Sequence, residues 1–221
     1  MNKLLIFIFV SILLIGVASA KDIAYVTKSM SYVDENIINV LNELNYSIDY
    51  IYDYQVRTTN FSKYKMILVP NQNFGSYAVD IPVNRYNSLI LDSYSLQEWH
   101  WISDGASQIA SNQPLKANVV NVSQITKSIP LIFKVYTSAT ENGKSVPMYY
   151  MSKYKKAMNI KGLVSTNSDN LDLVIAKAER GTLLKEGYVS NARGIFFGIT
   201  ESDYWTEDSK KLFKNSLRWV I

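Results

Sequence analysis

Hydrophobic positions follow two periods along this chain, and each change of period marks an element. Residues 22–27 (DIAYVT) form a short apolar run suited to a buried strand. From 33 to 44 the period lengthens, and Val33, Ile37, Ile38, Leu41 and Leu44 fall on one face of a helix. Ser31 or Asp34 is placed to cap it, with Asp34 and Glu35 near the positive end of its dipole. Residues 46–52 and 65–70 return to strand character, the second closed by Pro70, and 88–92 supply a fourth run. Strand, helix and strand with short connections predict a right-handed crossover and a parallel sheet. The end of the chain repeats the scheme. Residues 194–199 (GIFFGI) read as buried strand, and Thr206 caps a final helix with Glu207 and Asp208 in its first turn. Leu212, Phe213, Leu217 and Val220 form its apolar stripe, and Lys210, Lys211, Lys214 and Arg218 its solvated side.

The stretch from about 112 to 190 differs. Runs at 116–122, 130–136, 146–151, 158–165 and 171–178 all resemble strands, and Asn142-Gly143 is a hairpin turn signal. With no internal repeat and no Pro/Ser linker, the pattern predicts one α/β domain over 21–221. Its mainly parallel sheet is flanked by helices, and the insertion at about 112–190 adds β-ribbons or an antiparallel extension.

Residues 1–20 read as an export signal, with Lys3 as the basic region, Leu4 to Val17 as the apolar stretch and Ala18-Ser19-Ala20 as the cleavage site. The expected location is outside the cytoplasm, secreted or at the cell surface. Contact with a membrane is expected only if this segment stays uncleaved. Its removal takes away Lys3 alone among charged residues, leaving 22 basic against 19 acidic side chains. So mild an excess argues against a nucleic-acid partner, and Lys153, Lys155 and Lys156 read as a solvated basic loop. The chain has no cysteine and a single histidine, which removes thiol nucleophiles, thiolate metal sites and paired-imidazole metal sites. No cofactor is expected, because the loop at 27–31 has no glycine to form a phosphate cradle. Asn45, Asn60 and Asn121 head N-x-S/T triplets and are candidate glycosylation sites.

Two stretches carry a family resemblance. Residues 22–70, with LNELNYSIDYIYDYQV leading into NFSKYKMILVP, resemble the opening of class I glutamine amidotransferase-like domains, including trehalose-utilisation-type relatives. Residues 193–220 (RGIFFGITESDYWTEDSKKLFKNSLRWV) resemble the closing strand and helix of that family. The resemblance implies a flavodoxin-like scaffold. Catalytic members place a glycine-flanked cysteine on a tight turn after a central strand, with a His–Glu pair later. The matching turn here is Leu91-Asp92-Ser93-Tyr94, and the late segment Thr200-Glu201-Ser202-Asp203 has no histidine. The resemblance thus implies a catalytically degenerate member.

The strand-end rim offers three kinds of use. Ser93 with His100 as base and Asp104 as orienter would make a hydrolase. Asp92, Glu201 and Asp203 offer oxygen ligands for a hard cation, but without the spacing of a calcium loop, so no metal is expected. The leading expectation is a non-enzymatic role in binding a glycan or protein partner through Asp92, Ser93, Tyr94, Glu201, Asp203, Tyr204 and Trp205. Trp99 and Trp101 are expected near the same rim. A structural cell-envelope component is a further alternative. The sequence leaves the oligomeric state open.

Overall fold

The computed structural model describes residues 21–221 apart from 112 and 114; the expected export signal at 1–20 lies outside the described residues. In chain order the strands are β1 (Ile23–Thr27), β2 (Ile48–Tyr52), β3 (Met66–Val69) and β4 (Ser88–Ile90), then β5 (Ser107–Ile109), β6 (Lys116–Val119) and β7 (Ile132–Lys134). There follow β8 (Thr140–Glu141), β9 (Lys144–Ser145), β10 (Met148–Tyr150), β11 (Lys161–Thr166), β12 (Leu173–Ala178) and β13 (Gly194–Phe197). Two α-helices, α1 (Glu35–Glu43) and α2 (Glu207–Val220), complete the described elements together with short 3-10 turns.

Nine strands form one sheet in the order β2-β1-β3-β4-β13-β12-β11-β6-β7. The first five are parallel and the last four antiparallel, so the insertion lengthens the family-like sheet from its β13 edge. Both predicted forms of the insertion are present. β10 leaves the sheet to pair with β5, a strand the sequence pattern missed, and β8 and β9 form a hairpin. Its turn residues Asn142 and Gly143 have φ of 48° and 78°, as the Asn-Gly signal requires.

The two faces of the parallel half are covered differently. Tyr25, Leu68, Leu89, Ile195 and Phe197 project to the face on which α1 and α2 pack with Ile37, Leu41, Phe213 and Leu217. Fully burying each large apolar side chain stabilises by roughly 1.5–3 kcal/mol. The opposite face has no α-helix. Phe61, Phe74, Trp99 and Trp101 cover it, carried on loops and 3-10 turns. Trp99 and Trp101 are therefore core residues rather than rim rings, a correction to their expected place. Each satisfies its indole N–H inside, Trp99 Nε1 donating to the Ala78 carbonyl at 2.8 Å and Trp101 Nε1 to Asn84 Oδ1 at 3.0 Å.

Just beyond β13, Gly198 joins the two halves. Its N–H donates to the Val174 carbonyl and its carbonyl accepts from the Tyr149 N–H, and a Cβ here would overlap the Tyr149 carbonyl oxygen. Among the described residues no helix is long and apolar enough to cross a membrane.

Candidate functional site

In a parallel sheet the loops after the strands gather on one rim. Here that rim collects the segments after β1, β3, β4 and β13. Asp34 caps α1 as predicted, Oδ1 accepting from the Ile37 N–H at 3.1 Å, while the Ser202 hydroxyl lies 2.7 Å from both of its carboxylate oxygens. Burial raises the Asp34 pKa above the ordinary carboxylate value, against the pull of Ser202. Burial also raises Glu201, whose Oε1 accepts from Thr200 Oγ1 at 3.0 Å.

A cleft of about 170 Å³ opens between Tyr32, Asp34, Asn71, Gln72, Thr200 and Glu201. That is below the roughly 300 Å³ at which small-molecule pockets begin. Its polar walls are largely satisfied from within. Gln72 Nε2 donates to the Tyr32 carbonyl at 2.8 Å and its Oε1 accepts from the Lys28 N–H at 3.0 Å. Asn71 Oδ1 accepts from both the N–H and the hydroxyl of Ser93, at 3.0 and 2.9 Å.

The turn from Leu91 to Tyr94 is not a nucleophile elbow, because none of its residues has positive φ. Asp92 is fully buried and its Oδ1 accepts from the Tyr94 N–H at 2.6 Å. Its Oδ2 has no hydrogen-bond partner, and desolvation pushes its pKa up to about 7.

The hydrolase constellation is not assembled. The Ser93 hydroxyl is directed to Asn71. His100 stacks on Tyr188, with ring centroids 3.4 Å apart, and its Nδ1 lies 3.2 Å from Glu186 Oε2. Asp104 pairs with Lys155 at 2.9 Å. No hydrogen bond joins any two of Ser93, His100 and Asp104. The cause is local. Burying both flanking tryptophans under the sheet fixes the backbone at His100, which has φ of 60°, and turns its ring toward the loop at 185–188. Nor do Asp92, Glu201 and Asp203 converge: among the described residues no group of three His, Cys, Asp or Glu side chains could hold a metal ion.

Of the rim rings, Tyr94 is exposed, while Tyr204 and Trp205 are partly buried. Trp205 Nε1 donates to the Ile199 carbonyl at 2.9 Å, and its ring packs on Phe197 and Phe213. Its remaining surface walls a second, larger groove of about 590 Å³ between α1 and the start of α2. Along this groove run Asn36, Asn39 and Asn42, three residues apart on α1, facing Trp205, Glu207 and Lys210. Asn36 Nδ2 donates to Asp203 Oδ1. Asn39 and Asn42 are exposed, and their side-chain amides have no hydrogen-bond partner among the described residues. Lys210 is drawn to Glu43 at 2.9 Å. The asparagine row has a visible i, i+3, i+6 spacing in the sequence, but polar residues on the outer side of an amphipathic helix are ordinarily just solvated, so the spacing alone does not mark a site.

Asn45, Asn60 and Asn121 are all exposed. Asn60 Oδ1 accepts from Ser62, and Asn121 Nδ2 donates to the Gly162 carbonyl. In the basic loop, Lys153 and Lys155 are neutralised by Asp169 and Asp104, at 2.6 and 2.9 Å.

No family model matches the chain, and no curated protein matches it. Among solved structures it is similar to a cytoplasmic protein of Salmonella typhimurium LT2, with 13% identity over 90% of this chain and 99% of that one and a TM-score of 0.58. It is similar to PurLQS of Thermotoga maritima, with 16% identity, 91% and 100% coverage and a TM-score of 0.51. A glutamine amidotransferase of Thermotoga maritima gives 9% identity, 91% and 98% coverage and a TM-score of 0.52. The chain thus has the glutamine amidotransferase-like α/β fold. At these identities the likeness extends to the fold alone.

Proposed function

We propose that this chain is an exported, catalytically degenerate form of the amidotransferase-like fold that binds a glycan at or outside the cell surface. The export arm rests on the sequence pattern of residues 1–20. The non-enzymatic arm rests on the missing cysteine and on a Ser93 hydroxyl directed to Asn71 rather than to a base.

The observation that carries the binding arm is the groove between α1 and α2. A sugar ring presents adjacent hydroxyls at its edge and C–H groups on its faces. The Asn39 and Asn42 amides each offer two donors and an acceptor free of internal partners. Trp205 offers an apolar ring surface held rigidly by Phe197 and Phe213. At about 590 Å³ the groove is within the range of small-molecule sites. Tyr94 extends the same rim as an exposed ring. If the host glycosylates exported proteins, Asn45 and Asn60 are the sites best placed to accept it.

The test is a glycan array probed with residues 21–221 and with a double variant, Asn39→Ala with Asn42→Ala. Both side chains are exposed, so the fold should be kept. The expected result is a discrete set of retained glycans and at least tenfold weaker retention by the double variant. An empty array, or equal retention by both proteins, would contradict glycan binding at this groove.

A further inference from the structure

Strands β8 and β9 hold together through two residue pairs, Thr140↔Ser145 and Glu141↔Lys144. A two-stranded hairpin on its own is marginally stable in water. Thr140, Glu141, Asn142, Gly143 and Lys144 are all exposed, so water reaches the turn and little packing resists its opening. At the tip stands Asn142-Gly143, which is the one Asn-Gly pair in the sequence.

Asparagine is among the thermolabile residues. Its weak point is attack on the side-chain amide by the backbone nitrogen that follows it. The tip of this hairpin favours that attack in three ways. Gly143 has no Cβ to hinder approach to Asn142 Cγ, and beyond its chain neighbours nothing lies within 4 Å of where a Cβ would stand. The Gly143 N–H is outside the ladder, whose last pair is Glu141↔Lys144. The left-handed turn, with φ of 48° and 78°, can rearrange once those two pairs part. The Asn-Ser pairs at 87, 167 and 215 are the nearest comparison. Asn87 precedes Ser88 of the buried strand β4, and Asn215 lies in α2 with Nδ2 donating to the Ile125 carbonyl at 3.0 Å, so both are held. Asn167 is exposed and serves as the internal reference.

We propose that Asn142 is a modification site that deamidates spontaneously in the folded protein. Hydroxide takes the proton of the Gly143 N–H, and that nitrogen bonds to Asn142 Cγ. The Cγ–Nδ2 bond breaks, and ammonia leaves with a proton from water, which regenerates the hydroxide. A second water opens the five-membered imide at either carbonyl. The product is aspartate, or isoaspartate whose main chain runs through Cβ. One water is consumed and one ammonia released, with no other reactant. Either product adds a carboxylate to a cleft of about 300 Å³ that Glu141 and Asn142 share with Glu201. Isoaspartate also lengthens the turn by one main-chain atom, which disturbs the register of the two pairs. The rim near Glu201 therefore becomes more acidic as the protein ages. This inference does not rest on the glycan reading.

The test incubates residues 21–221 at 37 °C, folded and in urea, at pH 7 and pH 8, and follows tryptic peptides by mass. The peptide 135–144 should gain the mass of an O-for-NH exchange in the folded protein and resolve into aspartate and isoaspartate forms. Its conversion should be at least fivefold faster than that of Asn167 and about tenfold faster at pH 8 than at pH 7. Gly143→Ala, whose Cβ meets open space, should slow it about tenfold. Conversion in urea but not in the folded protein would overturn the proposal, because the turn would then protect Asn142. So would an Asn142 that stays intact in both, or one that converts no faster than Asn167.

Discussion

At the C-terminal rim of the parallel strands, Asn71 accepts from Ser93, Gln72 bridges Tyr32 and Lys28, and Asp34 is held by Ser202 and the Ile37 N–H. On the bare face of the antiparallel extension, Asn118 Oδ1 has no hydrogen-bond partner and Lys116, Lys134 and Lys156 have no ion-pair partner among the described residues. The first region is where this fold elsewhere places its chemistry, and here most of its polar groups stabilise the turn geometry itself. The second lies at the sheet edge, where Asn118 Oδ1 is buried without a partner and the three lysines form no ion pair with a described residue. The outer side of α1 resembles the second region, with Asn39 and Asn42 unpartnered beside Trp205. On the proposed reading, exposed groups without internal partners, rather than the inherited position after β4, would locate binding; at that position the one unpartnered atom, Asp92 Oδ2, is buried.

Four substitutions sharpen the contrast. The largest effect belongs to the doubly covered half. Phe213→Ala removes a fully buried ring packed on Phe197 and Trp205, and should lower unfolding stability by about 3–5 kcal/mol. Leu131→Ala on the bare face should change it by less than about 0.5 kcal/mol. Urea unfolding of the two variants measures both. Equal losses would mean that the extension's second face is covered in solution.

The next effect lies at the turn after β4. The folded pKa of Asp92 is raised to about 7, so in the folded state it holds its proton over a window in which the unfolded chain has released it. Stability then falls as pH rises from about 4 to about 7 and levels off above, the penalty reaching on the order of 4 kcal/mol. Asp92→Asn should flatten that dependence and stabilise the protein at pH 8. Thermal unfolding across pH 4 to 8 reads it. An unchanged slope would show that Asp92 ionises in the folded state as freely as in the unfolded one.

The parallel half was legible in the sequence because it follows simple periods. Buried strands at 22–27 and 194–199 read as continuous apolar runs, and the Asp34 and Thr206 caps followed from residue type and position. The coverage of the second face was not legible. Loops and 3-10 turns carry no period, so nothing marked Phe61, Phe74, Trp99 and Trp101 as a shared layer. Without that layer the two tryptophans read as rim rings and Ser93 and His100 as neighbours. Proximity of seven residues in the chain could not reveal that His100 turns to Glu186 and Tyr188. The antiparallel extension was legible as strands but not as an exposed face, since exposure depends on what fails to pack there.

A smaller effect tests the rim directly. Ser93→Ala loses the hydroxyl bond to Asn71 and should reduce stability by about 1 kcal/mol. It should leave reactivity toward a fluorophosphonate probe unchanged from an unlabelled wild type. Wild-type labelling that Ser93→Ala abolishes would restore the hydrolase.

The most direct measurement of all is an NMR titration of ¹⁵N-labelled residues 21–221 with the glycan an array retains most strongly. Binding at the α1–α2 groove predicts that the largest shifts fall on the side-chain amides of Asn39 and Asn42 and on the Trp205 indole, with residues 91–101 unmoved. Shifts concentrated at Ser93, Tyr94 and His100 instead would contradict it, and would return function to the inherited position after β4.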